Sequence, residues 1–327
     1  AAIWQVEIDY DTGELRGTRT PIDTGEVQTI DMVEIGSRML LEPASTMELR
    51  DHSARLSHDT SLSIFLAPYE HLKLDLAFFF AGPGEVMNGI EYDYYTDERT
   101  GMTYPRIRAV PGAEKASEAL SVHFARATLS AFDCLSAKFA GFGINDAFSS
   151  LGGHPGGWED ETITLTHLSP RLVSWTQSGS LFCTGAHPHN HSDSYTIEFE
   201  TGEPLAWQKL ISAWIPYDWD GQPVDPAVAA AEPDRHVWGP DAELLAFIKA
   251  RIPAGVFDEH LLDLCTNQFP MTEHVRLHVD GDDTIVVSLS GYPHVAGPCN
   301  GELFRLPVKE MKPFLTPAAR DYFPMLG

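Results

Sequence analysis

Apolar positions recur with period two through the first hundred residues and with a helical period just beyond them. Trp4, Val6 and Ile8 alternate with polar neighbours, and Asp11-Thr12-Gly13 supplies a turn. Further strands are expected at 29–35, 38–41, 61–66, 72–80 and 90–95, separated by turn chemistry such as Gly82-Pro83-Gly84 and the 97–101 stretch. After Pro105 and Pro111-Gly112 the period changes. Residues 113–140 place Val122, Ala125, Leu129, Phe132 and Phe139 near one helical face, widened by Leu120, Phe124 and Leu135. Pro precedes this stretch and Gly141 follows it, as helix punctuation requires. A helix of that length between strands needs a sheet to lie on.

A Gly/Pro-rich loop at 152–157 reads as a domain junction, and strands are expected again at 162–167, 172–177, 180–184 and 194–200. Thr201-Gly202-Glu203 turns into a short helix at 207–211, and a polar, Pro-rich loop runs from 216 to 240. Asp241 has the chemistry of an N-cap for a helix ending at Lys249, with Leu244, Leu245, Phe247 and Ile248 as its buried side. A second short helix is expected at 257–264. Val275, Leu277 and Val279 then alternate, Asp280-Gly281 turns, and Ile285, Val287 and Leu289 return as a hairpin. The expectation is an α+β fold: a mixed or antiparallel β-sheet packed by a long helix (about 113–140) and short C-terminal helices. Residues 1–90 read as a β-rich N-terminal region, 91–155 as a companion domain with the long helix, and 156–327 as a second domain. Residues 91–327 are expected to form one compact unit.

Composition narrows the function classes. No apolar run approaches the 18 or so residues of a membrane-spanning helix. Forty-seven acids against 22 bases give a net charge of −25, and protonating all 14 histidines would still leave −11. Such a chain repels nucleic acid and anionic lipid and attracts cationic partners, though an acidic surface also simply serves solubility. Cys134, Cys183, Cys265 and Cys299 show no zinc spacing. Two disulfides would suit an oxidising compartment, and four free buried thiols are the alternative. Three pairings are open, of which Cys134–Cys183 with Cys265–Cys299 is preferred. The start, Ala1-Ala2-Ile3, fits a periplasmic or secreted chain after removal of a leader, or simply a trimmed sequence.

Leu168-Ser169-Pro170-Arg171-Leu172 leads through Ser178-Gly179-Ser180 to Cys183-Thr184-Gly185-Ala186-His187-Pro188. A strand over 194–199 and Thr201-Gly202-Glu203-Pro204-Leu205 follow. This run resembles a bacterial extracytoplasmic family of unknown function marked by Gly-Gly-Ala-His, a strand, a Gly turn and a short helix. That family forms the outer domain of the lysozyme-sensing anti-sigma factor V and precedes the catalytic domain of a peptidoglycan N-deacetylase. Pro293-His294-Val295-Ala296, Cys299, Leu306-Pro307-Val308 and a helix at 310–315 are similar to its closing elements, and Tyr104-Pro105-Arg106-Ile107 to the start of its usual companion domain. The likeness covers about residues 90–320, with 156–327 as the Gly-Gly-Ala-His-type domain. It departs at Thr184, where the family has a second Gly, and leaves 1–90 unexplained. It implies a binding or sensing role in the cell envelope, toward a peptidoglycan-related polymer or a cationic protein such as lysozyme, with no catalysis of its own.

Candidate chemistry is sparse. His187, His189 and His191 recur at i, i+2 and i+4, so on an extended segment they project to one side as ligands for zinc or copper; a loop-fixing hydrogen bond is the plainer role for His187. His154 and His294 are outside candidates for further ligands. A metal-dependent hydrolase built on the three histidines is therefore the alternative function; otherwise no cofactor is expected. Glu273-His274 with His278 lacks the zinc-helix order, and the strand pattern puts both histidines on its polar side. Asp9/Asp11, Asp218/Asp220 and Asp280/Asp282 resemble calcium loops but lack the closing Glu, so turns are expected. No nucleophile elbow, phosphate loop or dinucleotide fingerprint is present. Trp207, Trp214 and Trp219, beside Tyr217, flank the Pro-rich loop as candidate walls of a groove for glycan or protein, against a plain packing role.

Overall fold

The computed structural model describes residues 2–9, 14–21, 25–33, 79–97, 100–128, 130–131, 158–181 and 189–326. The strands expected at 38–41 and 61–66, the helix beyond 131, the 152–157 loop, and Cys134, His154, Cys183 and His187 lie outside them. The chain divides into two compact units, 1–76 and 77–327. In the first, β1 (Ala2–Asp9), β2 (Glu14–Pro21) and β3 (Gln28–Val33) form an antiparallel meander. Ile3, Gln5 and Glu7 share its exposed face, as a period of two demands.

The division does not fall at residue 90, because β5 (Glu85–Met87) and β6 (Ile90–Asp97) are two arms of one hairpin. Asn88 (φ 52°) and Gly89 (φ 79°) both take the left-handed backbone that a tight two-residue β-turn requires. β4 (Phe79–Ala81) and β7 (Thr103–Ile107) also pair with β6. A 15-residue helix then spans 114–128, with Ala116, Leu120 and Ala127 buried along one stripe. It lies on the sheet β10-β9-β8, formed by β8 (Trp158–Leu168), β9 (Leu172–Leu181) and β10 (His189–Glu198). Ile163, Leu165, Val173, Trp175 and Ile197 complete that core. β9 is one continuous strand where two were expected.

A second antiparallel sheet holds β13 (Val275–Asp280), β14 (Thr284–Leu289) and β15 (Gly301–Pro307), with the expected turn at Gly281. One face packs against Leu244 and Ile248 of the Ala242–Lys249 helix and against Val308, Met311 and Phe314. The N-cap is as expected, Asp241 Oδ1 accepting from the Leu244 N–H at 2.8 Å. The other face meets β8–β10: Thr166 Oγ1 donates to the Val279 carbonyl at 2.8 Å, and the Gly281 N–H to the Thr166 carbonyl at 3.1 Å. This corrects the reading of His278. Its polar face lies on the side that packs against β8–β10, and the residue is only 3% exposed. His274 instead ends the short Met271–His274 helix, stacked on Tyr292 with ring centroids 3.8 Å apart.

Every strand pair among the described residues is antiparallel, so the sheets are not mixed. The two segments carrying the family-like motifs fold into one unit. The Ser212 N–H donates to the Phe314 carbonyl at 2.8 Å and the Thr316 N–H to the Leu210 carbonyl at 2.9 Å. Cys265 and Cys299 form a disulfide that ties the helical turn Leu264–Gln268 to the segment His294–Cys299.

Candidate functional site

Beyond β10 the chain reverses at Thr201-Gly202 and returns alongside the same strand, the Leu205 N–H donating to the Thr196 carbonyl at 2.8 Å. Gly202 (φ +71°) is the only residue type suited to this turn, since a Cβ there would lie 2.5 Å from the Lys115 carbonyl of the long helix. The turn delivers Trp207 at the head of the 3₁₀ helix Trp207–Lys209. The Pro-rich stretch is not an unstructured loop. β11 (Trp214–Tyr217) and β12 (Val237–Pro240) pair across it, enclosing a short helix at Pro226–Ala231 and bringing Trp214 and Trp238 beside Trp207.

These elements enclose a groove of about 530 Å³ between the edge of β10 and the start of β13. Three indoles line it together with Tyr195, His236 and Arg276. Trp214 is buried, whereas Trp207 and Trp238 are half-buried and packed against the core. His236 Nδ1 donates to the Glu232 carbonyl at 2.9 Å, which leaves Nε2 as an acceptor. Arg276 Nη1 donates to the Glu273 and Val275 carbonyls at 2.8 and 3.0 Å. Burial pushes its pKa down, opposed by the attraction of Asp193. No Asp or Glu occurs among the described residues lining the groove, in a chain with 47 of them.

A second polar cluster sits between the long helix and β8–β10, beside a cavity of about 290 Å³. Gln177 Nε2 donates to Glu161 Oε1 at 2.5 Å, so its carbonyl oxygen accepts from His123 Nε2 at 2.8 Å. That chain makes His123 the Nε2–H tautomer, and burial holds its pKa below the ordinary value. His191 Nε2 reaches the same Glu161 oxygen at 3.0 Å, the two side chains being 8% and 2% exposed. Glu161 Oε2 is buried with no hydrogen-bond partner among the described residues.

No family model matches the chain, and no curated protein matches it. The resemblance to the extracytoplasmic family therefore rests on its short motifs alone.

The histidine run divides. His191 is engaged with Glu161, His187 lies outside the described residues, and of His189 only the backbone in β10 is described. Among the described residues no group of three or more His, Cys, Asp or Glu is placed to hold a metal ion. Asp218 instead closes a turn, its Oδ1 accepting from the Asp220 and Gln222 N–H groups at 3.0 and 2.8 Å. Asp280 pairs with Arg305, and Asp282 accepts from Asn88. Of the expected aromatic wall, Trp207 and Trp214 line the groove, while Trp219 points away, 72% exposed in the Asp218–Gln222 turn. Sequence reading missed Trp238, Arg276 and Glu161. Trp238 stands before Gly239-Pro240, a turn-like pair that hides its strand, and the two charged residues carry no local signal.

Proposed function

We propose that this chain is a non-enzymatic binding protein of the cell envelope that holds a peptidoglycan-related glycan in the Trp207/Trp214/Trp238 groove. One observation carries the reading: three indoles converge in an open groove that no acidic side chain among the described residues lines. Indole faces suit the C–H faces of sugar rings, while the few polar groups around them orient hydroxyls. Half-buried aromatics of this kind supply contact area at low entropic cost because their rings are already packed. The Cys265–Cys299 disulfide supports an extracytoplasmic location.

The test is a titration with peptidoglycan-derived oligosaccharides, followed by tryptophan fluorescence at low and moderate salt. Binding is expected to survive moderate salt and to weaken by roughly tenfold or more in Trp207→Ala and Trp238→Ala, as for aromatic anchors generally. Absence of binding to any glycan removes the reading. The net charge of −25 favours a second one, recognition of a cationic protein such as lysozyme over the outer surface. That association would collapse with added salt and ignore both tryptophan variants.

A further inference from the structure

We propose that Arg276 is a carboxylate anchor, making the groove selective for an acidic saccharide over a neutral one; this rests on the glycan reading of the same groove. Arg276 is half-buried on β13, where only its Nη1 is committed, to two backbone carbonyls. Backbone carbonyls satisfy hydrogen bonds but leave the cationic charge uncompensated. Among the described residues no carboxylate lies within ion-pair distance of this guanidinium; Asp193, the acid whose field it feels, accepts a hydrogen bond from the Ser290 hydroxyl instead.

Partial burial of a cation is unfavourable unless a partner compensates it, and desolvation accordingly outweighs Asp193 in setting the direction of its pKa shift. The groove supplies the remaining conditions. Its described lining contains no competing acid, and His236 and Tyr195 add polar atoms beside the indoles. A guanidinium with free N–H groups in an aromatic groove matches a planar carboxylate, through short charge-assisted hydrogen bonds. The strongly negative outer surface would meanwhile repel long polyanions. The ligand that fits is therefore a short segment with one carboxylate beside a sugar ring, such as a sugar bearing a lactyl ether or a uronic acid.

The experiment titrates the whole chain with three probes: an oligosaccharide containing muramic acid, its methyl ester, and a chitin oligosaccharide of equal length. The free acid is expected to bind roughly tenfold or more tighter than the ester or the neutral chain, the size of a charged hydrogen bond. Arg276→Gln should bring the acid down to the level of the neutral chain, costing the acid far more than it costs chitin, and Arg276→Lys should restore only part of the difference. The ester comparison needs no variant, so it holds even if Arg276→Gln misfolds. Equal binding of acid, ester and chitin overturns the anchor while the glycan groove stands, as does equal loss of all three in a folded Arg276→Gln. Failure of every probe to bind overturns the glycan reading itself.

Discussion

His191 Nε2 lies 3.0 Å from Glu161 Oε1 although the two residues belong to strands that do not pair with each other. Gly179 of β9 stands between them, opposite Glu161 on one side and His191 on the other. Two strand spacings separate their backbones by roughly 9–10 Å. The side chains span that gap because the residue between them has no side chain. Gly179→Val should improve local strand propensity yet lower stability by about 1–3 kcal/mol, since the added carbons enter the path that the Glu161–His191 contact spans. Ser178→Val, at an exposed neighbouring position, should change it by about 0.5 kcal/mol or less. Urea midpoints of the two variants check this, and equal effects would contradict it.

Two glycines with similar backbone separate conformational strain from crowding. Gly202 (φ +71°) and Gly281 (φ +62°) both occupy the left-handed region, but a Cβ would meet the Lys115 carbonyl at 2.5 Å only at Gly202, with nothing within 4 Å at Gly281. Gly281→Ala should cost about 1–2 kcal/mol from backbone strain alone. Gly202→Ala should cost clearly more and weaken glycan binding too, because the turn it forms sets the position of Trp207. Thermal melts with a fluorescence titration test both parts.

Burial pushes the His278 pKa down to about 4 from an ordinary 6.5. The unfolded chain therefore binds more protons than the folded one between those values, and stability must rise with pH across that window. Acidification from about pH 6.5 to 4 should cost on the order of 3 kcal/mol from this residue, a term that His278→Leu removes. Denaturation profiles of the two proteins against pH should diverge only in that range. A His278 ring that titrates near 6.5 by NMR would refute the prediction.

The Cys265–Cys299 bridge closes a loop with a sequence separation of 34. Loop-closure entropy gives it about 3–4 kcal/mol of stabilisation. It also steadies the Cys265 carbonyl, which accepts from the Tyr292 hydroxyl at 2.6 Å. Cys265→Ser/Cys299→Ser should lower the melting temperature by several degrees, and reductant should then have no further effect through this pair.

Local patterns were enough for the elements whose signals are themselves local. The Asp241 cap, the 275–289 hairpin with its turn at Gly281, and the start of the long helix follow from side chains acting on their own backbone. Trp207 and Trp214 were legible as groove residues because aromatics beside a Pro-rich segment are a compositional signal. What required the tertiary structure was which polar faces become interior. His278 alternates like a solvent-facing residue, yet it lies on the side that packs against a second sheet and is buried. Arg276, Glu161 and Trp238 gain their surroundings from segments tens of residues away, such as Arg276 beside Tyr195 and Glu161 beside His191. Periodicity reports which side of a strand a residue occupies; what lies against that side is decided by the packing of one sheet on another.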